Sequence, residues 1–132
     1  VIPQLEIKDL IPNIEVLNWA ENVLNKAKNC GSLSNFRKVY SGLIATGDQF
    51  INSNAKIQKL TNEINNLYCV EMEGASFAQV ALQEKIPWLV IRVISDNACE
   101  EAQNNFNEFI KKYNESSWEI IEVFLKEVDK LH

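Results

Sequence analysis

Two glutamates stand two residues apart in VEMEGA, Val70 to Ala75, and an aspartate follows a serine in VISDNA, Val93 to Ala98. Carboxylates are what this chain offers for acid–base chemistry. Its single histidine is His132, so an imidazole-based triad or a histidine metal site has almost nothing to be built from. On a strand, Glu71 and Glu73 point to one face; near a helix start the second acid also lies close to unpaired backbone N–H groups. Either geometry makes a small polar site able to take hydroxyl or ring N–H donors. The plainer alternative is that acids favour a helix N-terminus, where each gains about 0.3–1 kcal/mol from the macrodipole. Arg92 is a second anomaly. It stands inside PWLVIRVIS, Pro87 to Ser95, and an arginine in so apolar a run needs a carboxylate or a ligand as partner; a structural ion pair and a functional one are both open.

The elements that must position these residues follow from periodicity. Asn13 can cap a helix carrying Ile14, Leu17, Leu24 and Ala27 and closing at Gly31. KVYSGLIAT, Lys38 to Thr46, reads as a buried strand ending at Gly47 and Asp48. Ile57, Leu60, Ile64 and Leu67 step at helical spacing; Tyr68 to Val70 is a short strand; a helix from about Glu73 places Ala75, Ala78 and Ala81 or Leu82 on one face. Pro87 to Ser95 is the expected central strand, covered on both faces. Phe106, Phe109, Ile110, Tyr113, Ile120, Ile121, Phe124, Leu125 and Val128 mark a long closing helix. The order α-β-α-β-α-β-α implies a three-layer αβα domain on a mostly parallel sheet.

In open sheets of this kind ligands bind beyond the carboxyl ends of the strands. All three expected strands deliver polar groups there: Thr46 to Phe50, then Glu71 and Glu73, then Ser95, Asp96 and Asn97. Phe50 could offer an aromatic face to a flat ligand or simply belong to the core. Asp96 could be chemical or a helix cap.

Composition sets the outer bounds. With 132 residues, 46% hydrophobic and 23% charged, the chain suits one globular domain. A net charge of −5 without a Lys/Arg cluster argues against a nucleic-acid partner. Cys30, Cys69 and Cys99 lack paired spacing, which fits reduced thiols in a cytoplasmic setting. No apolar run approaches the ~20 residues of a membrane span, and no leader pattern is seen, so no membrane association is expected. Three strands are few for an open sheet, whose mean is about five or six, and the chain opens at Val1 in loop-like sequence. Both suggest that residues 1–132 are a portion of a larger domain.

Three motifs together resemble the methylthioadenosine/S-adenosylhomocysteine nucleosidases of the nucleoside phosphorylase/hydrolase superfamily: GLIATGDQFI (Gly42 to Ile51), VEMEGASFAQVA (Val70 to Ala81) and IPWLVIRVISDNA (Ile86 to Ala98). The resemblance spans Asn13 to Val128 and implies a role for each site residue. Asp96 is similar to the acid that protonates adenine N7, and Ser95 to its hydrogen-bonding neighbour. Phe50 resembles the residue stacking on the base, and the Ile51 backbone the segment reading the adenine edge. Met72 would pack at the ribose, Glu73 accept the ribose hydroxyls and Glu71 support them. Arg92 resembles the arginine that pairs with a carboxylate near the attacking water.

The implied reaction is hydrolysis of an adenosine thioether to adenine, as in methionine salvage, by a homodimeric enzyme without metal or cofactor. The chemistry agrees: N-glycosidic cleavage needs leaving-group protonation and stabilisation of an oxocarbenium-like ribosyl. The resemblance also implies that residues 1–132 are the C-terminal portion of a single nucleosidase domain. A water-activating glutamate would then come from a missing N-terminal half, and the 132 residues alone would be inactive. A phosphorylase of the same fold would need a phosphate site that no Arg/Gly-rich loop here supplies. A non-catalytic storage or interaction relative would have no need to keep Glu71, Glu73 and Asp96 together.

Overall fold

The computed structural model describes residues 8–36, 38–51, 53–94 and 102–128. Helix α1 (Ile14–Asn29) begins where the Asn13 side chain accepts the Glu15 N–H at 2.7 Å. Glu15 sits in its first turn and Lys26 and Lys28 in its last, each opposite in sign to the nearby end of the helix dipole. Ala20, Val23 and Ala27, spaced three and four apart, form its buried face. The helix stops at Gly31, whose φ of +82° suits glycine. Ser32 N–H returns to the Ala27 carbonyl at 2.9 Å and Gly31 N–H to that of Lys28 at 3.2 Å, a Schellman closure. That turn delivers Leu33 into the core with 2% of its surface exposed.

Strand β1 (Leu43–Thr46), helix α2 (Asn54–Glu63) and strand β2 (Leu67–Glu71) form a β-α-β unit with the strands parallel. Each strand differs from its expected bounds. Residues 38–42 carry no strand pairing, and Gly42 lies so close under the Tyr68 ring that a Cβ there would clash. Helix α2 ends before Ile64 and Leu67 because Asn66 takes the left-handed conformation, φ 58°, which turns the chain into β2. The register pairs Ala45 with Val70 and Thr46 with Glu71.

Helix α3 (Gly74–Gln83) buries Gly74, Ala78 and Ala81 and packs on β1. Helix α4 (Ala102–Leu125) packs on α1, where Trp19 and Phe124 rings lie 5.3 Å apart and Lys26 pairs with Glu127 at 3.0 Å just beyond the helix. It starts earlier than the expected Phe106, and Val128 falls after its end. Among the described residues the sheet has two strands, β1 and β2. Among the described residues the expected central strand is not formed: residues 87–94 make no ladder hydrogen bonds with them, and Ile91 and Ile94 are exposed. Apolar content marks a segment suited to a covered strand, but a strand also needs a neighbour for its backbone groups, and the described residues offer it none.

Candidate functional site

The carboxyl edge of the β1–β2 pair carries a polar group built around Glu71. As the last residue of β2, Glu71 faces Thr46, the last of β1, across the ladder, and the edge is closed by Gly47 N–H donating to the Glu71 carbonyl at 2.9 Å. The Glu71 side chain, 9% exposed, turns back over the start of α3. Its Oε2 accepts the Glu73 N–H at 3.0 Å, and both oxygens accept the Gly74 N–H, at 2.9 and 2.7 Å. Thr46 Oγ1 donates to Glu71 Oε1 and accepts the Ala75 N–H at 2.9 Å. Side chains from two strand ends thus serve the first backbone donors of α3, a task Glu73, at the cap position, leaves unperformed. Gly74 leaves room for this approach: a Cβ there would lie 2.9 Å from Glu71 Oε1, and the carboxylate would have to shift.

Arg92 completes the group. Its Nη2 donates to Glu71 Oε2 and lies 3.5 Å from Glu73 Oε2. Burial by itself would raise the Glu71 pKa, but the donors from Thr46, Glu73, Gly74 and Arg92 outweigh it and hold the carboxyl down to about 2. Glu71 is therefore a fixed anion. The Cys69 thiol, half-buried below it, is pushed up by burial and by the Glu71 charge, against a smaller opposing effect of Arg92.

Glu73 has the opposite character: its side chain is 75% exposed, and its remaining acceptor capacity faces outward. It lines an open cleft of about 300 Å³ together with Gly74, Phe77, residues 89–91 and Arg92. The cleft is lined by apolar side chains and by the charged pair Glu73 and Arg92. A ligand with an apolar part and a pair of hydroxyl donors suits that distribution.

The structure brings Glu71, Glu73 and Arg92 into direct contact, with exposed Met72 on the turn between the two acids. Phe50, 66% exposed, and Ile51 follow β1 at the same edge; among the described residues neither makes a hydrogen bond or ring contact with the Glu71 group. Ser95 and Asp96 lie outside the described residues. Two further members of the site, Thr46 and Gly74, had no assigned role from sequence. The available signal was Thr46 closing one strand as Glu71 closes the next, with a glycine placed to let the acid reach the helix end.

Proteins of similar sequence and fold are known. A family profile, the phosphorylase superfamily, matches residues 4–126. The chain is 39% identical over 93 residues to a 5'-methylthioadenosine/S-adenosylhomocysteine nucleosidase of Anoxybacillus flavithermus, an alignment covering 70% of this chain and 40% of that protein. It superposes on futalosine hydrolase of Helicobacter pylori with a TM-score of 0.79 and 31% identity, covering 96% of this chain and 50% of the other. With an adenine complex of the 5'-methylthioadenosine/S-adenosylhomocysteine nucleosidase from Colwellia psychrerythraea the TM-score is 0.78 and the identity 29%, over 96% of this chain and 49% of the other. The chain thus spans about half the length of the relatives it matches, and its α/β architecture with a parallel sheet is that of the nucleoside phosphorylase/hydrolase fold. Motifs, fold and profile agree, and the chain belongs to the phosphorylase superfamily.

Proposed function

We propose that this chain is the C-terminal portion of a nucleosidase domain that hydrolyses the N-glycosidic bond of methylthioadenosine, S-adenosylhomocysteine or a related adenosine thioether, releasing adenine. The observation that carries the reading is the division of labour between two neighbouring acids: Glu71 is saturated with donors, while Glu73 is open in the lining of a cleft with apolar side chains. Glu73 accepts the ribose hydroxyls, with Met72 packed at the sugar and Glu71 holding the strand–helix junction beneath them. Phe50 stacks on the base and the Ile51 backbone reads its edge. Arg92, fixed by Glu71, faces the attacking water, and the nearby carboxylates favour the positive charge that builds on the ribosyl as the bond breaks. Asp96, assisted by Ser95, protonates the leaving base. The nucleosidase names of the relatives support this assignment, and the likeness to a futalosine hydrolase adds futalosine to the nucleosides to be tested. The enzyme is proposed to be a homodimer of the cytoplasm acting in methionine salvage.

The test is release of base from methylthioadenosine, S-adenosylhomocysteine and futalosine, with and without phosphate. It is run on the 132-residue chain alone and on the chain complemented with the N-terminal half of a relative. Phosphate-independent release by the complemented enzyme is expected, with none from the chain alone. Phosphate-dependent release would replace the hydrolase with a phosphorylase, and absence of release would leave only a binding role. Glu73→Gln is expected to weaken nucleoside binding about 10- to 100-fold, the worth of hydrogen bonds to a charged group, while adenine binding holds. Equal losses for both ligands would remove Glu73 from the sugar.

A further inference from the structure

We propose that Thr46 is a positioning residue for this reaction: its hydroxyl at the end of β1 fixes the Glu71 carboxylate, and through it keeps Arg92 on Glu71 rather than on Glu73. The proposal rests on the nucleosidase reading for its catalytic half and on geometry alone for the rest. The Ala75 N–H can only donate, and it donates to Thr46 Oγ1 at 2.9 Å. A hydroxyl has one proton, so that proton is directed to Glu71 Oε1, which as a carboxylate can only accept. The polarity of the chain Ala75 to Thr46 to Glu71 is therefore set from its backbone end.

Among the described residues, Glu71 Oε1 is otherwise held by one half of a Gly74 N–H that both oxygens share, whereas Oε2 takes Glu73 N–H, Gly74 N–H and Arg92. Without the hydroxyl the carboxylate keeps its donors on Oε2 but only the shared Gly74 N–H on Oε1, so its Oε1 side is loosened. Arg92 meets Glu71 on Oε2, so a turn of the carboxylate weakens the geometry of that pair. The Arg92 side chain is 35% exposed, and Glu73 Oε2 already stands 3.5 Å away as a competing partner. An Arg92 that moved there would occupy the acceptor assigned to the sugar and leave the place assigned to the water. Among the described residues, the charged and titratable groups facing Glu71 are Arg92, Glu73 and the Cys69 thiol, and of these Arg92 already donates to Oε2.

Thr46→Val removes the hydroxyl at nearly constant shape, and Thr46→Ser restores it. Two readouts are made on the complemented enzyme. The first is the titration of the Glu71 carboxyl by carbon NMR: an upward shift is expected in the valine variant, with the serine variant back at the wild-type position. The second is steady-state hydrolysis of methylthioadenosine: kcat is expected to fall about 10- to 100-fold in the valine variant, as for a displaced catalytic group, with a smaller change in KM and recovery by serine. If the valine variant does not fold, Thr46→Cys, a weaker donor, takes its place and should show an intermediate shift. An unchanged Glu71 titration, or a shifted titration with unchanged kcat, overturns the role of Thr46 in an enzyme that is otherwise active. A wild-type enzyme that hydrolyses no nucleoside instead defeats the nucleosidase reading and the catalytic half with it.

Discussion

Glu71 and Glu73 share a chemical type and are separated by one methionine, yet the first is a fixed anion under α3 and the second an open acceptor above it. The fixed anion has a measurable signature. Its folded pKa, about 2, lies below the ordinary 4.5, so the unfolded chain takes up the proton first. The stabilisation is complete above about pH 4.5 and is lost as the pH falls from there towards 2. Glu71→Gln should cost about 1–3 kcal/mol at neutral pH by stranding its donors, and the gap to wild type should narrow across that acid window in denaturant titrations. A gap constant from pH 6 to pH 2.5 would assign the cost to packing. Sequence made Arg92 conspicuous as a cation wanting a partner, and it made the acids conspicuous as a pair. It did not say which acid would be consumed by structure, because that depends on Thr46 and Gly74, two residues that look ordinary until the strands are laid side by side.

At the scale of elements, legibility followed how local the determinant was. Helix α1 could be read almost to its ends because Asn13, the buried-face spacing and Gly31 are local signals. The boundary between α2 and β2 was misread because Ile64 and Leu67 continue a helical spacing that Asn66 breaks by entering the left-handed region. Residues 87–94 stay unpaired among the described residues because a ladder is a property of two segments, and apolar content describes only one. The junction of β2 and α3 also reverses a general rule. Alanine ordinarily stabilises a helix over glycine by about 1 kcal/mol, but at Gly74 its Cβ would meet the Glu71 carboxylate. Gly74→Ala is therefore expected to destabilise, by about 1–3 kcal/mol as overpacking does, and to loosen Arg92 as well. A rise in melting temperature would show that Glu71 can withdraw without loss.

At the scale of the molecule, the chain spans about half of the proteins it matches, and Phe77, Val80, Ile86 and Ile94 are each more than half exposed. Trp118 and Leu125 of α4 and Ile11 ahead of α1 are exposed as well. Homodimerisation of the complemented enzyme is the expected outcome, checked by light scattering at micromolar concentration; a monomer there would count against it. Among the described residues, no helix is long and apolar enough to cross a membrane. The strand–helix junction has one more consequence, visible in hydrogen–deuterium exchange. The opening amides of a helix normally exchange with solvent early, because no preceding carbonyl holds them. In α3 the Gly74 amide is held by Glu71 of β2 and the Ala75 amide by Thr46 of β1, 29 residues away, so deuterium enters Ala75 when β1 and α3 part. These two amides should exchange more slowly than Lys56, whose bond to Ser53 is 3.4 Å long, and the Ala75 exchange rate becomes a clock for the parting of β1 from α3.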